Sequence, residues 1–214
     1  MRDADTIVKF ITNQMEVKSN ARDRAIRDSR LVIRHAANAI RALHRGDTAA
    51  AGQSLEAGRE MVVATREDLA GHPDVYWAGY VQDAQKELAE AYLVAAMIQQ
   101  TDLPGPQDLA VENVPYLNGL AEAASEMRRY ILDIMRRGGD RDMTEAERAL
   151  AMMDDVYTSL VTVDYPDALT GGLRRTVDAL RAVLERTRGD LTISLRQAQL
   201  ERALRATSEV QAEN

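Results

Sequence analysis

Cysteine is absent from this chain of 214 residues, which excludes disulfide bridges, thiolate metal ligands and cysteine nucleophiles. Aromatic residues make up only 4% of the sequence, so the core must be built from aliphatic side chains and alanine. The five prolines and twelve glycines fall mostly between segments of helical periodicity, and runs typical of β-strands are missing. Good helix formers dominate the remainder, and this composition favours an all-α protein.

Long hydrophobic runs are missing as well. No apolar stretch approaches the roughly 18 residues that a transmembrane helix needs. The first five residues, Met1 to Asp5, lack the layout of a signal peptide, in which a positively charged region precedes an apolar one. We therefore expect a protein that does not contact membranes and that resides in the cytoplasm.

An excess of positive charge, the usual sign of a nucleic-acid-binding protein, is also lacking, because the net charge is −7. The charge is unevenly distributed, however. Residues 1–47 carry ten Lys and Arg against six Asp and Glu, whereas the rest of the chain carries seventeen against twenty-eight. A binding partner would therefore meet a basic N-terminal segment on an otherwise acidic protein.

Apolar residues at helical spacing, interrupted by glycine and proline, predict an antiparallel helical bundle. We expect it to form a single domain over residues 1–214, with about seven helices. The predicted helices cover residues 4–45, 47–70 and 73–100, then Asn113 as N-cap up to Gly138-Gly139, then 144–162 with a capping box of Thr144 and Glu147, then 172–188, and finally Asp190 or Thr192 to about 208.

Two pairs of glutamates stand out on the third and fourth predicted helices. Glu87 and Glu90 are three residues apart, and Glu122 and Glu126 are four apart, so each pair places like charges side by side. If the two helices face each other, the four carboxylates converge and need protons or a cation to neutralise them. Ligands that offer only oxygen suit Mg²⁺ or Mn²⁺.

A plainer interpretation of these glutamates stays open, because such pairs are common on solvated helix faces. Glu56 and Glu60 form a pair of the same kind that we would not interpret as a site. The three histidines are scattered and none forms a Glu-x-x-His pair, which argues against a di-iron carboxylate centre. No glycine-rich phosphate-binding loop is present either.

Arginines recur along the first predicted helix at spacings that place them on one face. Guanidinium groups in such a row match a phosphate backbone, and His44 is also a candidate for phosphate contact. The alternative is a solvated face whose arginines pair with acids of neighbouring helices. The arginine face comprises Arg27, Arg30, Arg34, Arg41 and Arg45. We expect the buried side of the helix to include Ile26, Ile33, Ala37, Ile40 and Leu43.

Four stretches of the chain together match the pattern of a known family. They are Ser29-Arg30 with Leu43-His44-Arg45, Glu87-Leu-Ala-Glu90-Ala91, Tyr116-Leu-Asn-Gly119-Leu-Ala121-Glu122-Ala-Ala-Ser-Glu126-Met-Arg128, and Val156-Tyr157 with Arg188-Gly189. No single stretch is specific, but their order and spacing are. In these stretches the chain resembles the translin–TRAX family, and especially its archaeal TRAX-like members, and the resemblance extends from about residue 15 to about residue 190.

This resemblance implies an Mg²⁺-dependent endoribonuclease that cleaves single-stranded RNA inside a hollow, octamer-like homo-oligomer, with single-stranded DNA as a further ligand. It implies that the four glutamates are catalytic and hold the metal. Glu122 departs from the family pattern, because TRAX has an aspartate there. The residues expected to hold RNA are Arg27, Arg30, Arg34, His44 and Arg45, together with Arg188 by analogy with the family.

Two other functions stay open. One is a nucleic-acid-binding assembly without catalysis, as in translin, which lacks the full acidic set. The other is an all-α nucleotide pyrophosphatase, which also uses acidic pairs on helices around Mg²⁺. The second pair of that family is usually Glu-x-x-Asp, whereas this chain has Glu122-x-x-x-Glu126.

Overall fold

The computed structural model describes residues 3–137 and 140–212, and within these ranges it contains eight α-helices and no β-strand. The predicted all-α class is confirmed. None of the described helices combines the length and apolarity that a membrane span requires. The helices are α1 Ala4–His44, α2 Thr48–Asp68, α3 Pro73–Tyr76, α4 Gly79–Gln99, α5 Asn113–Arg137, α6 Asp140–Leu160, α7 Asp167–Thr170 and α8 Leu173–Ala212.

The ends of the first two helices follow from their capping residues. The carboxylate of Asp3 accepts a hydrogen bond from the backbone N–H of Thr6 at 2.8 Å and caps α1. Gly46 ends that helix with a φ of 76°, a left-handed conformation that favours glycine. Asp47 then caps α2 by accepting from the N–H of Ala50 at 3.0 Å. Both helices lie within about two residues of their predicted bounds.

The buried side of α1 differs from the prediction. It is a stripe of mostly small residues that allows α2 and α4 to pack closely against the helix. Leu43 is buried as expected, but Ile26, Ile33, Ala37 and Ile40 lie beside the stripe and are only half-buried. The stripe comprises Ala21, Ala25, Ser29, Val32, Ala36, Ala39, Ala42 and Leu43.

The predicted helix over residues 73–100 is two helices, α3 and α4. Ala78 has extended backbone angles, φ −66° and ψ 145°, so the helix must restart at Gly79. The side-chain amide of Gln82 donates to the backbone carbonyl of Tyr76 at 3.0 Å and satisfies an acceptor that the break leaves exposed. The periodicity did not reveal the break, because both segments keep helical spacing.

The predicted start of the fifth helix is wrong, since α6 begins at Asp140 and Thr144 lies inside it. The predicted helix end at Gly138-Gly139 lies outside the described residues. The last two predicted helices are one continuous helix, α8. Glycine in a helix costs only about 1 kcal/mol relative to alanine, and the buried stripe continues across Gly189 from Thr187 to Leu191.

The chain forms two compact units, residues 1–120 and 121–214. In the first, α1 packs against α2 and α4, and α2 packs against α4. In the second, α8 packs against α6 and α7. Helix α5 begins in the first unit and continues without interruption into the second. The single domain over residues 1–214 stays a prediction.

Candidate metal centre and nucleic-acid surface

Helix α4 carries the first pair of glutamates. Glu87 and Glu90 are both half-buried on it, one turn apart. Lys86 accompanies them, with its Nζ atom 3.1 Å from Oε1 of Glu87 and 3.4 Å from Oδ1 of Asp83. Only 20% of the Lys86 side chain is exposed. This lysine was not among the predicted site residues, although it is one of only three in the chain and directly precedes Glu87.

Helix α5 approaches α4 closely at Gly119. A Cβ atom on Gly119 would stand 2.7 Å from the carbonyl oxygen of Lys86 and 3.0 Å from the backbone nitrogen of Glu90. A residue with a side chain therefore could not sit there without moving one of the helices. Because residues three apart lie on the same side of a helix, Glu122 projects from nearly the same face of α5 as Gly119.

Three glutamates offer oxygen atoms that are close together. One carboxylate oxygen each from Glu87, Glu90 and Glu122 lies within 4.8 Å of the other two, and all three residues are half-buried. Octahedral Mg²⁺ holds its oxygen ligands at about 2.1 Å, so ligand oxygens are at most about 4.2 Å apart around it. Small side-chain rotations would bring this group into that range, and the all-oxygen donor set fits Mg²⁺ or Mn²⁺.

Glu126, the fourth predicted ligand, is not in this group of three. It lies one turn beyond Glu122 on α5 and is half-buried. Its Oε1 atom is 3.5 Å from the guanidinium of Arg129. Since 55% of the Arg129 side chain is exposed, this ion pair contributes little to stability. Because it is not in the group, Glu126 is a weaker candidate for direct metal binding than the other three.

The arginine face of α1 is exposed along its whole length. It lies opposite the buried stripe, as the helical spacing requires. Among the described residues, none of its five arginines has a carboxylate partner within ion-pair distance. Arg41 donates instead to the side-chain oxygen of Asn38 at 2.6 Å. The interpretation of this face as arginines neutralised by acids of neighbouring helices therefore finds no support in this part of the chain.

The other two predicted RNA contacts are placed differently. His44 is half-buried, whereas Arg45 beside it is exposed. The guanidinium of Arg188 lies 2.9 Å from Asp154 and 3.3 Å from Glu185. Arg188 would have to exchange these carboxylates for phosphate in order to bind RNA, and it is a weaker candidate than the arginines of α1.

Comparisons with known proteins found one similar sequence and several similar solved structures. No family model matches the chain. An uncharacterized protein of Methanocaldococcus jannaschii is 26% identical over 199 residues, which span 92% of this chain and 87% of that protein. Among solved structures, AfC3PO in complex with duplex RNA and AfC3PO by itself each match with a TM-score of 0.81 and 29% identity, over 90% of this chain and 98% of theirs.

A third structure, apo-NeC3PO, matches with a TM-score of 0.73 over 91% of this chain and 98% of its own. At 21% identity it shows the fold alone. AfC3PO and NeC3PO are translin–TRAX family structures. The resemblance predicted from the sequence is thereby confirmed, since the solved structures to which this protein is similar belong to the translin–TRAX family.

Proposed function

We propose that this protein is an Mg²⁺-dependent endoribonuclease. The observation that carries the proposal is the group of three half-buried glutamates, Glu87, Glu90 and Glu122, whose oxygens lie within 4.8 Å of one another. Three carboxylates this close repel one another, and a divalent cation would relieve the repulsion. Lys86 lies 3.1 Å from Glu87 and offsets part of this negative charge, and a divalent cation held by all three carboxylates would offset more of it.

Each of the four glutamates has a proposed role in the cleavage reaction. Glu87, Glu90 and Glu122 would hold the ion, which when bound polarises a phosphate and lowers the pKa of a water. Glu126, one turn further along α5, is the candidate for accepting the proton of the attacking water. The bond between phosphorus and the 3′-oxygen breaks, and that oxygen takes a proton from solvent. The products would carry a 5′-phosphate and a 3′-hydroxyl.

We infer the substrate class from the arginine face and from the resemblance to the family. Five exposed arginines without carboxylate partners in the described part of the chain suit a phosphate backbone. AfC3PO, 29% identical, has been solved with duplex RNA, while the family resemblance implies cleavage of single strands in the cytoplasm by a hollow homo-oligomer. We propose that the protein binds RNA of both kinds and cleaves the single-stranded form, with little sequence preference because aromatic residues for stacking are few.

The test is cleavage of end-labelled single-stranded and duplex RNA with Mg²⁺ or with EDTA. Glu122→Gln keeps the size of the side chain and removes its charge, so cleavage should fall at least about a hundredfold if Glu122 holds the ion. Glu60→Gln is the matched control, since Glu60 belongs to the exposed pair on α2 and should leave cleavage unchanged. Product ends that carry a 2′,3′-cyclic phosphate would contradict the proposed chemistry.

A second function is favoured by one observation, the extra methylene of Glu122 relative to the TRAX aspartate. If it misplaces the carboxylate, the protein binds RNA without cutting it. RNA that is bound and left intact, with affinity indifferent to Mg²⁺ and to Glu122→Gln, would establish this alternative. Hydrolysis of free nucleoside triphosphates with RNA left intact would instead indicate a nucleotide pyrophosphatase.

A further inference from the structure

A network of hydrogen bonds fixes the residue that directly precedes α5. The hydroxyl of Tyr76 donates to Oε1 of Glu112 at 2.6 Å, and Arg66 donates to the same oxygen at 3.0 Å. Gln85 uses both ends of its amide. Its nitrogen donates to the Tyr76 hydroxyl at 3.3 Å, and its oxygen accepts from the backbone N–H of Glu112 at 2.8 Å. Four residues from α2, α3, α4 and the loop before α5 therefore meet at one point.

The network is shielded from solvent on one side only, since 44% of the Arg66 side chain and 30% of the Glu112 side chain are exposed. Gln85 is 2% exposed, and burial raises the pKa of Tyr76, with the hydrogen bond to Glu112 acting in the same direction. A buried amide without these partners would incur a desolvation penalty. The geometry is therefore strongly favoured over alternatives that leave Gln85 without Glu112.

The position of this network connects it to the glutamate group. Gln85 immediately precedes Lys86 on α4, and Gly119 of α5 packs against the backbone of Lys86 and Glu90. Helix α5 is thus held twice on a short stretch of α4. One anchor is the bond from Gln85 to Glu112, and the other is the close approach at Gly119, one turn before Glu122.

We propose that Tyr76 and Gln85 are positioning residues that, by clamping Glu112, keep the first turns of α5 in register on α4 and so set the place of Glu122 relative to Glu87 and Glu90. The consequence for metal binding rests on the proposed function. The consequence for α5 does not, since it concerns only residues 112–120 and their contacts with α4.

The chain offers a matched control for Tyr76. Tyr92 lies on α4, and its hydroxyl donates to Glu56 on α2 at 3.4 Å. Burial raises its pKa as it does that of Tyr76. Tyr92→Phe therefore removes a similarly buried hydroxyl whose carboxylate partner lies on α2 and which, in the described part of the chain, has no hydrogen bond to α5 or to the loop before it.

Two measurements on the full chain test the proposal. Hydrogen exchange of the backbone amides of residues 113–120, except Pro115, which has no N–H, reports on the start of α5. Titration with Mn²⁺ alone reports on the cation site. Tyr76→Phe should speed exchange in that segment and weaken Mn²⁺ binding about tenfold, as removal of supporting partners does in metal sites. Tyr92→Phe should change neither quantity. The fluorescence of the sole tryptophan, Trp77, whose ring centroid lies 5.3 Å from that of Tyr76, should also respond only to the first substitution.

Two variants of Glu112 test the clamp independently, in case the Tyr76→Phe protein does not fold. Glu112→Gln keeps an acceptor for Tyr76 and should stay close to the natural protein, whereas Glu112→Ala should behave like Tyr76→Phe. Equal exchange at residues 113–120 in the Tyr76→Phe and Tyr92→Phe proteins would overturn the clamp. If the natural protein binds no Mn²⁺, the proposed cation site is wrong. The exchange comparison still tests the clamp on Glu112 in that case. Faster exchange in Tyr76→Phe would support the clamp, and unchanged exchange would overturn it.

Discussion

The backbone of Gly119 lies directly against the backbone of Lys86, since a Cβ atom on Gly119 would stand 2.7 Å from the Lys86 carbonyl oxygen. The neighbouring atom belongs to the main chain of α4 and not to the end of a flexible side chain, so no change of rotamer can relieve the contact. A larger residue at this position must therefore push α5 away from the helix that carries Glu87 and Glu90.

Gly119→Ala is expected to destabilise the protein, although alanine is the better helix former. The gain in helix propensity is about 1 kcal/mol, whereas overpacking of a tight contact costs about 1–3 kcal/mol. We expect the free energy of unfolding, measured with urea, to fall by up to about 2 kcal/mol, and the affinity for Mn²⁺ to fall with it because Glu122 is displaced.

Gly52→Ala provides the control for this prediction. Gly52 lies within α2, is exposed, and would place its Cβ atom with nothing within 4 Å. Alanine there should raise the free energy of unfolding by about 0.5–1 kcal/mol. An equal rise in the free energy of unfolding of Gly119→Ala would show that α5 can move away from α4 without loss of stability.

Glu122→Asp introduces the residue of the TRAX pattern and should weaken the site in this protein. The group of three has its oxygens within 4.8 Å with glutamate at this position. Removing one methylene draws the carboxylate back by about 1.5 Å, while metal sites tolerate about 0.5 Å. We expect Mn²⁺ affinity and cleavage to fall about tenfold, with Glu60→Asp unchanged. Tighter Mn²⁺ binding by the aspartate protein would mean that the backbone is placed for the shorter side chain.

Sequence spacing predicted which glutamates share a helix face but not what brings the two helices together. Four glutamates were predicted to converge, and the structure brings oxygens of Glu87, Glu90 and Glu122 close together without Glu126. That these residues hold a cation stays a prediction. The close approach at Gly119 was not visible, since a glycine inside a helical pattern usually signals only a weak point. The clamp on Glu112 joins residues that are 27 and 36 positions apart, and no local pattern reports such contacts.

The buried side of α1 is a second feature that the sequence did not predict correctly. Large aliphatic residues were expected to be buried, yet alanines occupy most of the buried stripe while Ile33 and Ile40 are half-buried. Hydrophobicity ranks isoleucine above alanine, but close packing of α1 on two helices selects small side chains. Which of two adjoining apolar faces is buried depends on the partner helix, and the sequence of one helix does not specify it.

The arginine face of α1 should supply much of the electrostatic binding of RNA. Because Arg30 and Arg34 are exposed and have no carboxylate partner among the described residues, replacing both with alanine leaves up to two phosphates of the RNA without a guanidinium. The slope of log affinity against log salt should then fall by about 0.7 for each such phosphate of a single strand. Arg22 and Arg24, which lie on α1 outside this face, give the control double variant. Identical slopes for the two double variants would contradict a specific role of the arginine face.

Tyr76 should make the stability of the protein sensitive to alkaline pH. Its pKa is raised above the ordinary value of 10.0, first by burial and then by the hydrogen bond to Glu112. The folded state therefore holds the phenol proton more tightly than the unfolded chain does. The resulting stability is fully present below pH 10 and is lost as the pH rises through the pKa of the folded state. The free energy of unfolding of the natural protein should fall over that range more steeply than that of Tyr76→Phe.

The phenolate absorbance provides an independent check on the same residue. Burial also raises the pKa of Tyr92 and Tyr116, so both should contribute together with Tyr76 to the late part of the titration. Tyr76→Phe should remove the absorbance of one tyrosine from that late part, while the contributions of Tyr92 and Tyr116 remain. A late phase of undiminished size would show that the Tyr76 hydroxyl titrates like that of a solvated tyrosine. In that case it would not be bonded to Glu112, and the clamp on α5 would lack its first hydrogen bond.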